Sequence, residues 1–153
     1  MKRSERLNSI LELATAREQE AAQQLGEMTR KLENARRNLD NLRSFQDNYS
    51  QKFRDTGDQG LGMRQLLEYR AFLAKINGAV LEQERIVGNV EKNLAQSRTH
   101  WEATRRQTLG MKTVVDKARA EERHLEERRR QAEEDERASR RRDRGGDALS
   151  MGY

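Results

Sequence analysis

Stepping along the chain from Leu7 in alternating intervals of four and three residues lands on Leu7, Leu11, Ala14, Glu18, Ala21, Leu25, Met28, Leu32, Ala35, Leu39, Leu42, Gln46, Tyr49 and Phe53, and twelve of these fourteen positions are apolar. An average spacing of 3.5 residues keeps one side of a slightly supercoiled helix turned to a partner, so the pattern predicts a coiled-coil helix over residues 3–55. A second run begins at Leu66 and passes through Tyr69, Leu73, Ile76, Val80, Gln83, Val87, Val90 and Leu94, then becomes patchier through Ser97, Trp101, Thr104, Thr108, Met111, Val115, Ala118, Glu122 and Leu125. It predicts a longer second helix over residues 62–142. Between the runs, "DTGDQGLG" holds three glycines and two aspartates, which end helices and accept turn geometry, so residues 56–62 read as a loop. The expectation is an all-α fold: a two-helix antiparallel coiled-coil hairpin over residues 1–144, with "GGDALSMGY" at 145–153 as a flexible tail.

The hairpin can be tested against its own register. A loop centred near residue 59 or 60 requires facing positions to add to about 119. That sets Phe53 by Leu66, Leu39 by Val80, Leu32 by Val87 and Leu25 by Leu94, apolar against apolar. Trp101 falls level with Glu18, between Ala14 and Ala21, where the small side chains leave room for an indole and Glu18 leans outward. At 1.5 Å per residue the first helix would run about 80 Å and the second about 120 Å, so some 25 residues of the second overhang. That overhang, residues 118–144, carries ten arginines against nine carboxylates and almost no seam. Pairs such as Glu126 with Arg130 and Glu133 with Arg137 support a helix there by a few tenths of a kcal/mol each, enough for helix in part or on binding.

Composition narrows the class. Of 153 residues, 33% are hydrophobic and 37% charged, too polar for a thick core, and the absence of proline leaves long helices uninterrupted. Without cysteine the chain has neither a disulfide nor a thiolate metal ligand. The start "MKRSERLNSI" is basic but lacks the apolar run of a signal peptide, and no segment approaches the ~20 apolar residues of a membrane span, so a soluble, cytoplasmic protein without direct membrane insertion is expected. The net charge of +5 comes from 31 basic and 26 acidic residues that interleave, as on a solvated helix surface.

No enzyme chemistry stands out. Catalysis needs groups converging in a concavity, which a two-helix hairpin does not offer. His100 and His124 are too far apart on one helix to share a metal, and "GDQGLG" lacks the Lys and Ser/Thr of a phosphate loop. No cofactor is expected.

The aromatics are the unusual feature. Five of the seven Phe, Tyr and Trp residues (Phe45, Tyr49, Phe53, Tyr69 and Phe72) lie in one window around the glycine-rich loop. Beside the seam, Asn38, Leu42, Phe45 and Tyr49 on the first helix and Phe72, Ile76, Ala79 and Gln83 on the second follow steps of four, three and four, forming an adjoining second stripe. A two-stranded coil buries one stripe per helix, so part of Phe45, Tyr49 and Phe72 should stay exposed as binding anchors. The plainer reading is that the rings thicken the seam where the helices splay toward the loop.

"LGEM" (Leu25 to Met28), "LRSFQDNY" (Leu42 to Tyr49) before a Gly-rich turn, "EYRAFLAKINGAV" (Glu68 to Val80) and the lone Trp101, set on uneven arms, together resemble the FliJ family of the bacterial flagellar type III export apparatus. The likeness extends over nearly the whole chain. It implies a coiled-coil stalk similar to the central stalk of rotary ATP synthases; the hairpin reading itself predicts a monomer when free. Its two-helix end, here Lys2, Arg3, Arg6, Leu7 and Ile10 with Met111, Val115 and Ala118, would insert into the hexameric flagellar export ATPase and promote ring assembly. It further implies binding to the cytoplasmic linker of the large export-gate membrane protein through Asn38, Leu42, Phe45, Tyr49, Phe72, Ile76, Ala79 and Gln83. Asn38, Phe45, Ile76 and Gln83 depart from residues typical of the family. The resemblance also implies contact with export chaperones of minor filament components and peripheral association with the inner-membrane export apparatus.

Two other classes fit the sequence less well. A basic helical nucleic-acid binder would use Arg36, Arg37, Arg105, Arg106 and the overhang arginines, but carboxylates are interspersed and no clean basic region precedes a seam. A purely structural, self-associating coiled coil would be a parallel dimer rather than a hairpin.

Overall fold

The computed structural model describes residues 1–57, 60 and 62–150, with side chains through residue 146. Two helices make up the fold, α1 (Arg3–Gly57) and the longer α2 (Met63–Ser150), packed against each other as an antiparallel coiled-coil hairpin with no strand among the described residues. Helix α1 extends two residues past its expected end at 55. Helix α2 continues eight past Arg142, through Gly145 and Gly146, where the sequence reading places a flexible tail. Helical glycine costs about 1 kcal/mol relative to alanine, a penalty that weakens this stretch without forbidding the helix. Residues 151–153 of that tail lie outside the described residues.

Local chemistry closes each helix at the bend. The Gly60 amide donates to the Gly57 carbonyl (3.3 Å), and Gly60 sits at φ 83°, a left-handed conformation that costs any residue with a Cβ. At the start of α2, Gly62 occupies the N-cap: its carbonyl accepts the Leu66 amide at 3.1 Å, while the Gln65 side chain reaches back to the Gly62 amide at 3.4 Å, one half of a capping box. Asp58, Gln59 and Leu61, also placed in the loop by sequence, lie outside the described residues.

Contacts gather into two units. One comprises residues 16–105, the other joins residues 1–15 to 106–153. Within the first, Leu32, Ala35, Leu39, Ile76, Val80 and Val87 form a buried cluster, with Leu42, Tyr49, Ile86, Val90 and Leu94 packed against it. Leu32, Leu39, Val80 and Val87 thus share a core as the register test requires. Ion pairs tie the helices along one flank, Arg36 to Glu91 (3.3 Å) and Arg43 to Glu84 (3.2 Å), both well exposed. Within the second unit, Val115 is fully buried and Ala118 is 4% exposed, so an apolar seam persists beyond the stretch where its sequence signal thins.

Every position of the four-three pattern is buried or half-buried except Leu125, which is 56% exposed. The polar members join the interface instead of leaving it. Gln83 donates to the Ala35 carbonyl across the seam (3.0 Å), Thr108 donates to the Ala14 carbonyl (3.2 Å), and Glu18 is half-buried. Trp101 is half-buried, and the Arg105 guanidinium one turn on lies 5.4 Å from its ring centre, a cation–π contact. Glu126, expected to pair with Arg130, reaches across to Lys2 at 3.2 Å.

Candidate functional site

The aromatic surface of the larger unit is built from the seam outward. Tyr49 and Phe53 on α1 and Tyr69 on α2 occupy seam positions near the bend and stack: Phe53 on Tyr69 with ring centres 3.4 Å apart and planes 10° apart, Tyr49 on Tyr69 at 5.2 Å and 12°. Tyr49 also meets Phe72 at 4.6 Å, and Phe72 takes the edge of Phe45 at 6.2 Å. The inner rings fix the outer two. Phe45 remains 50% exposed and Phe72 39%, so large apolar faces stand on a packed base, as binding anchors require.

The eight residues of the expected face divide by burial. Asn38, Phe45, Phe72 and Ala79 are exposed; Leu42, Tyr49 and Gln83 are half-buried; Ile76, only 5% exposed, belongs to the core cluster. Gln83 spends its amide on the Ala35 carbonyl. The accessible part of the face is therefore the two phenylalanines with Asn38 and Ala79, supported from beneath by Ile76, Leu42 and Tyr49. Two open grooves adjoin it: one of about 360 Å³ lined by Phe45, Asn48, Tyr49, Gln51 and Lys52, another of about 220 Å³ lined by Tyr49, Lys52, Phe53, Thr56, Gln65, Glu68 and Tyr69. The opposite flank of the seam carries the Arg36–Glu91 and Arg43–Glu84 pairs, so the two flanks differ in kind, one charged and one aromatic.

The second expected surface lies in the other unit. Lys2, Arg3, Arg6 and Ile10 are exposed, Leu7 and Met111 half-buried, Val115 and Ala118 buried, so the last two hold the helices together and the first four face solvent. A contact missed in the sequence sits here. Lys2 is the N-cap of α1, its carbonyl accepting the Arg6 amide, yet its ammonium has no acceptor to offer the free amides of the first turn. Glu122 of α2 supplies one. Its carboxylate accepts the Ser4 amide at 3.0 Å and the Ser4 hydroxyl at 2.6 Å, and Ser4 is 6% exposed.

The hydroxyl and then the amide of Ser4 hold the Glu122 carboxyl below the usual glutamate range, with Lys2 and Arg119 adding to the effect. The hydrogen bond to Glu126 likewise raises the Lys2 ammonium. Arg119 donates to Asn8 at 3.3 Å. An open groove of about 440 Å³ here is lined by Lys2, Arg119 and Arg123 against Asp116, Glu122 and Glu126, equal numbers of each sign. The signal was present: one step back from Leu7 the four-three count lands on Ser4, and on α2 it reaches Glu122.

No group of His, Asp or Glu among the described residues is arranged to hold a metal ion, and no described helix is long and apolar enough to cross a membrane. The model of the flagellar FliJ protein family matches residues 2–146, nearly the whole chain. The chain belongs to the FliJ family. No curated protein and no solved structure matches it. FliJ membership makes the chain a component of the flagellar export apparatus, and the hairpin with a longer second helix agrees with what the resemblance implies.

Proposed function

We propose that the chain is a non-enzymatic coiled-coil adaptor of the flagellar export apparatus, monomeric when free. In this reading the surface of Lys2, Arg3, Arg6, Leu7 and Ile10 with Met111, Val115 and Ala118 inserts into the hexameric export ATPase and promotes its assembly. The aromatic face binds the cytoplasmic linker of the export gate, and export chaperones of minor filament components dock on the same protein. Coupling of hydrolysis to the gate follows from one chain contacting both machines.

The observation that carries the reading is the stacked aromatic cluster with Phe45 and Phe72 presented on it. Exposed rings fixed by half-buried rings bury much area on binding at little entropic cost. The balanced, solvent-facing charge of the other surface suits contact with a polar pore that must release as well as hold. Mixing the protein with the flagellar export ATPase, counting hexameric rings by electron microscopy and measuring hydrolysis tests the first half; both should rise. Unchanged ring counts and unchanged hydrolysis would sink it.

A further inference from the structure

Past Glu126, the last residue of α2 that reaches α1, every described side chain through residue 146 is exposed. The charges there are banded. Acidic residues 126–127 are followed by arginines 128–130, acidic residues 133–136 and arginines 137 and 140–142. Between the inner bands sit only the neutral Gln131 and Ala132.

We propose that this stretch pairs antiparallel with the same stretch of a second copy of the chain, the two-fold axis passing between Gln131 and Ala132. Facing residues then add to about 263. In that register arginines 128–130 of each copy meet acidic residues 133–135 of the other and Leu125 meets Ala138, while Glu127 falls opposite Glu136 and Arg123 opposite Arg140; Glu122 and Glu126 stay engaged with Ser4 and Lys2 of their own chain. A parallel, in-register pairing sets like charge on like. Charge therefore favours the antiparallel orientation, with the axis at or beside the Gln131–Ala132 step.

Charge also chooses the kind of partner. Residues 118–144 carry ten arginines and nine carboxylates, a net charge of +1 against +5 for the whole chain, so two copies of this stretch meet with little net repulsion. A nucleic acid or anionic bilayer would set phosphates against the acidic bands. All the cations of this stretch are arginine, the side chain that grips carboxylates in a two-pronged fork, and Arg137, Arg140, Arg141 and Arg144 line one shallow groove of about 160 Å³. Of these, Arg140 has a partner on its own helix, Glu136 at 2.9 Å. Because exposed ion pairs are individually weak and screened by salt, the dimer forms at high chain concentration and low ionic strength and gives way to a monomer otherwise.

Sedimentation of the full chain at about 0.02 M and about 0.5 M salt tests this. The mass should approach twice 17.9 kDa in the low-salt sample and return to one chain in the high-salt sample. Two charge-reversed variants, Arg128→Glu with Arg129→Glu and Arg130→Glu, and Glu133→Arg with Glu134→Arg and Asp135→Arg, should each stay monomeric alone and form a mixed dimer when combined. Spin labels on Ala132 of the otherwise unaltered chain, a readout that does not depend on how the reversed variants fold, should lie on the order of 10 Å apart between copies, and on Gly145 about 40 Å apart. A single-chain mass at low salt, a mixture that fails to pair, or distant labels at Ala132 would each overturn the proposal.

Discussion

The Ser4 amide and hydroxyl both donate to the Glu122 carboxylate, at 3.0 and 2.6 Å, so the first turn of α1 is capped by a side chain 118 positions away. A cap normally comes from the residue just before the helix; here that residue is Lys2, which cannot accept. Folding of the first turn is thereby tied to docking of α2.

Replacing Glu122 with Gln should loosen that turn. Amide exchange at Ser4 and its neighbours is expected to speed up several-fold while residues 16–105 keep their protection, measured by hydrogen exchange. The effect also has a pH signature. Because the folded carboxyl titrates below its ordinary range, its stabilisation is full above the unfolded glutamate pKa and is lost as pH falls through the folded value. The exchange difference between wild type and Glu122→Gln should therefore be present at neutral pH and vanish in acid.

Leu39 and Leu81 are both leucines of the same unit, yet Leu39 is 7% exposed and Leu81 66%. Urea unfolding of Leu39→Ala should show a loss of about 2–4 kcal/mol, the range for emptying a buried leucine site, whereas Leu81→Ala should cost less than about 0.5 kcal/mol. Equal losses would mean that the buried cluster does not carry the stability.

Glycine substitutions should have opposite signs at the bend and within α2. Gly60→Ala forces a Cβ into a left-handed conformation and is expected to destabilise by about 1–2 kcal/mol. Gly78→Ala, in mid-helix with open space around the added carbon, should stabilise by about 0.5–1 kcal/mol. Thermal midpoints of the two variants, moving in opposite directions, check both.

Phe45→Ala combined with Phe72→Ala should preserve helicity and any stimulation of the export ATPase but abolish binding to the cytoplasmic linker of the gate. Ile76→Ala is the control: buried in the core, it should lower stability by about 2–4 kcal/mol, so its effect on binding is to be read only where the chain is folded. Gate affinity unchanged by the phenylalanine pair would remove the aromatic face from the mechanism.

Much of this protein was legible in the order of its residues. The four-three recurrence of apolar side chains is a property of the chain alone, and it marked the interface of both helices before any partner was placed; the glycines and aspartates marked the bend, and local motifs such as "LRSFQDNY" carried the family resemblance. Fixing which side chains meet took the tertiary structure. Side chains lean toward the start of their own helix, so in an antiparallel pair long side chains that meet at their tips add to more than the backbone level, while rings stacked on the seam stay near it. The expected level is about 119. Tyr49 and Tyr69 add to 118, but Arg43 and Glu84, reaching further, add to 127. The same packing buried Ile76 while leaving Phe45, a member of the same expected face, in solvent. It also turned Ser4 and Glu122, polar positions of the same count, into the cap of α1. Periodicity records which side of a helix seeks cover; how deep each residue sits, and which donor finds which acceptor, depends on a second surface brought close by the bend.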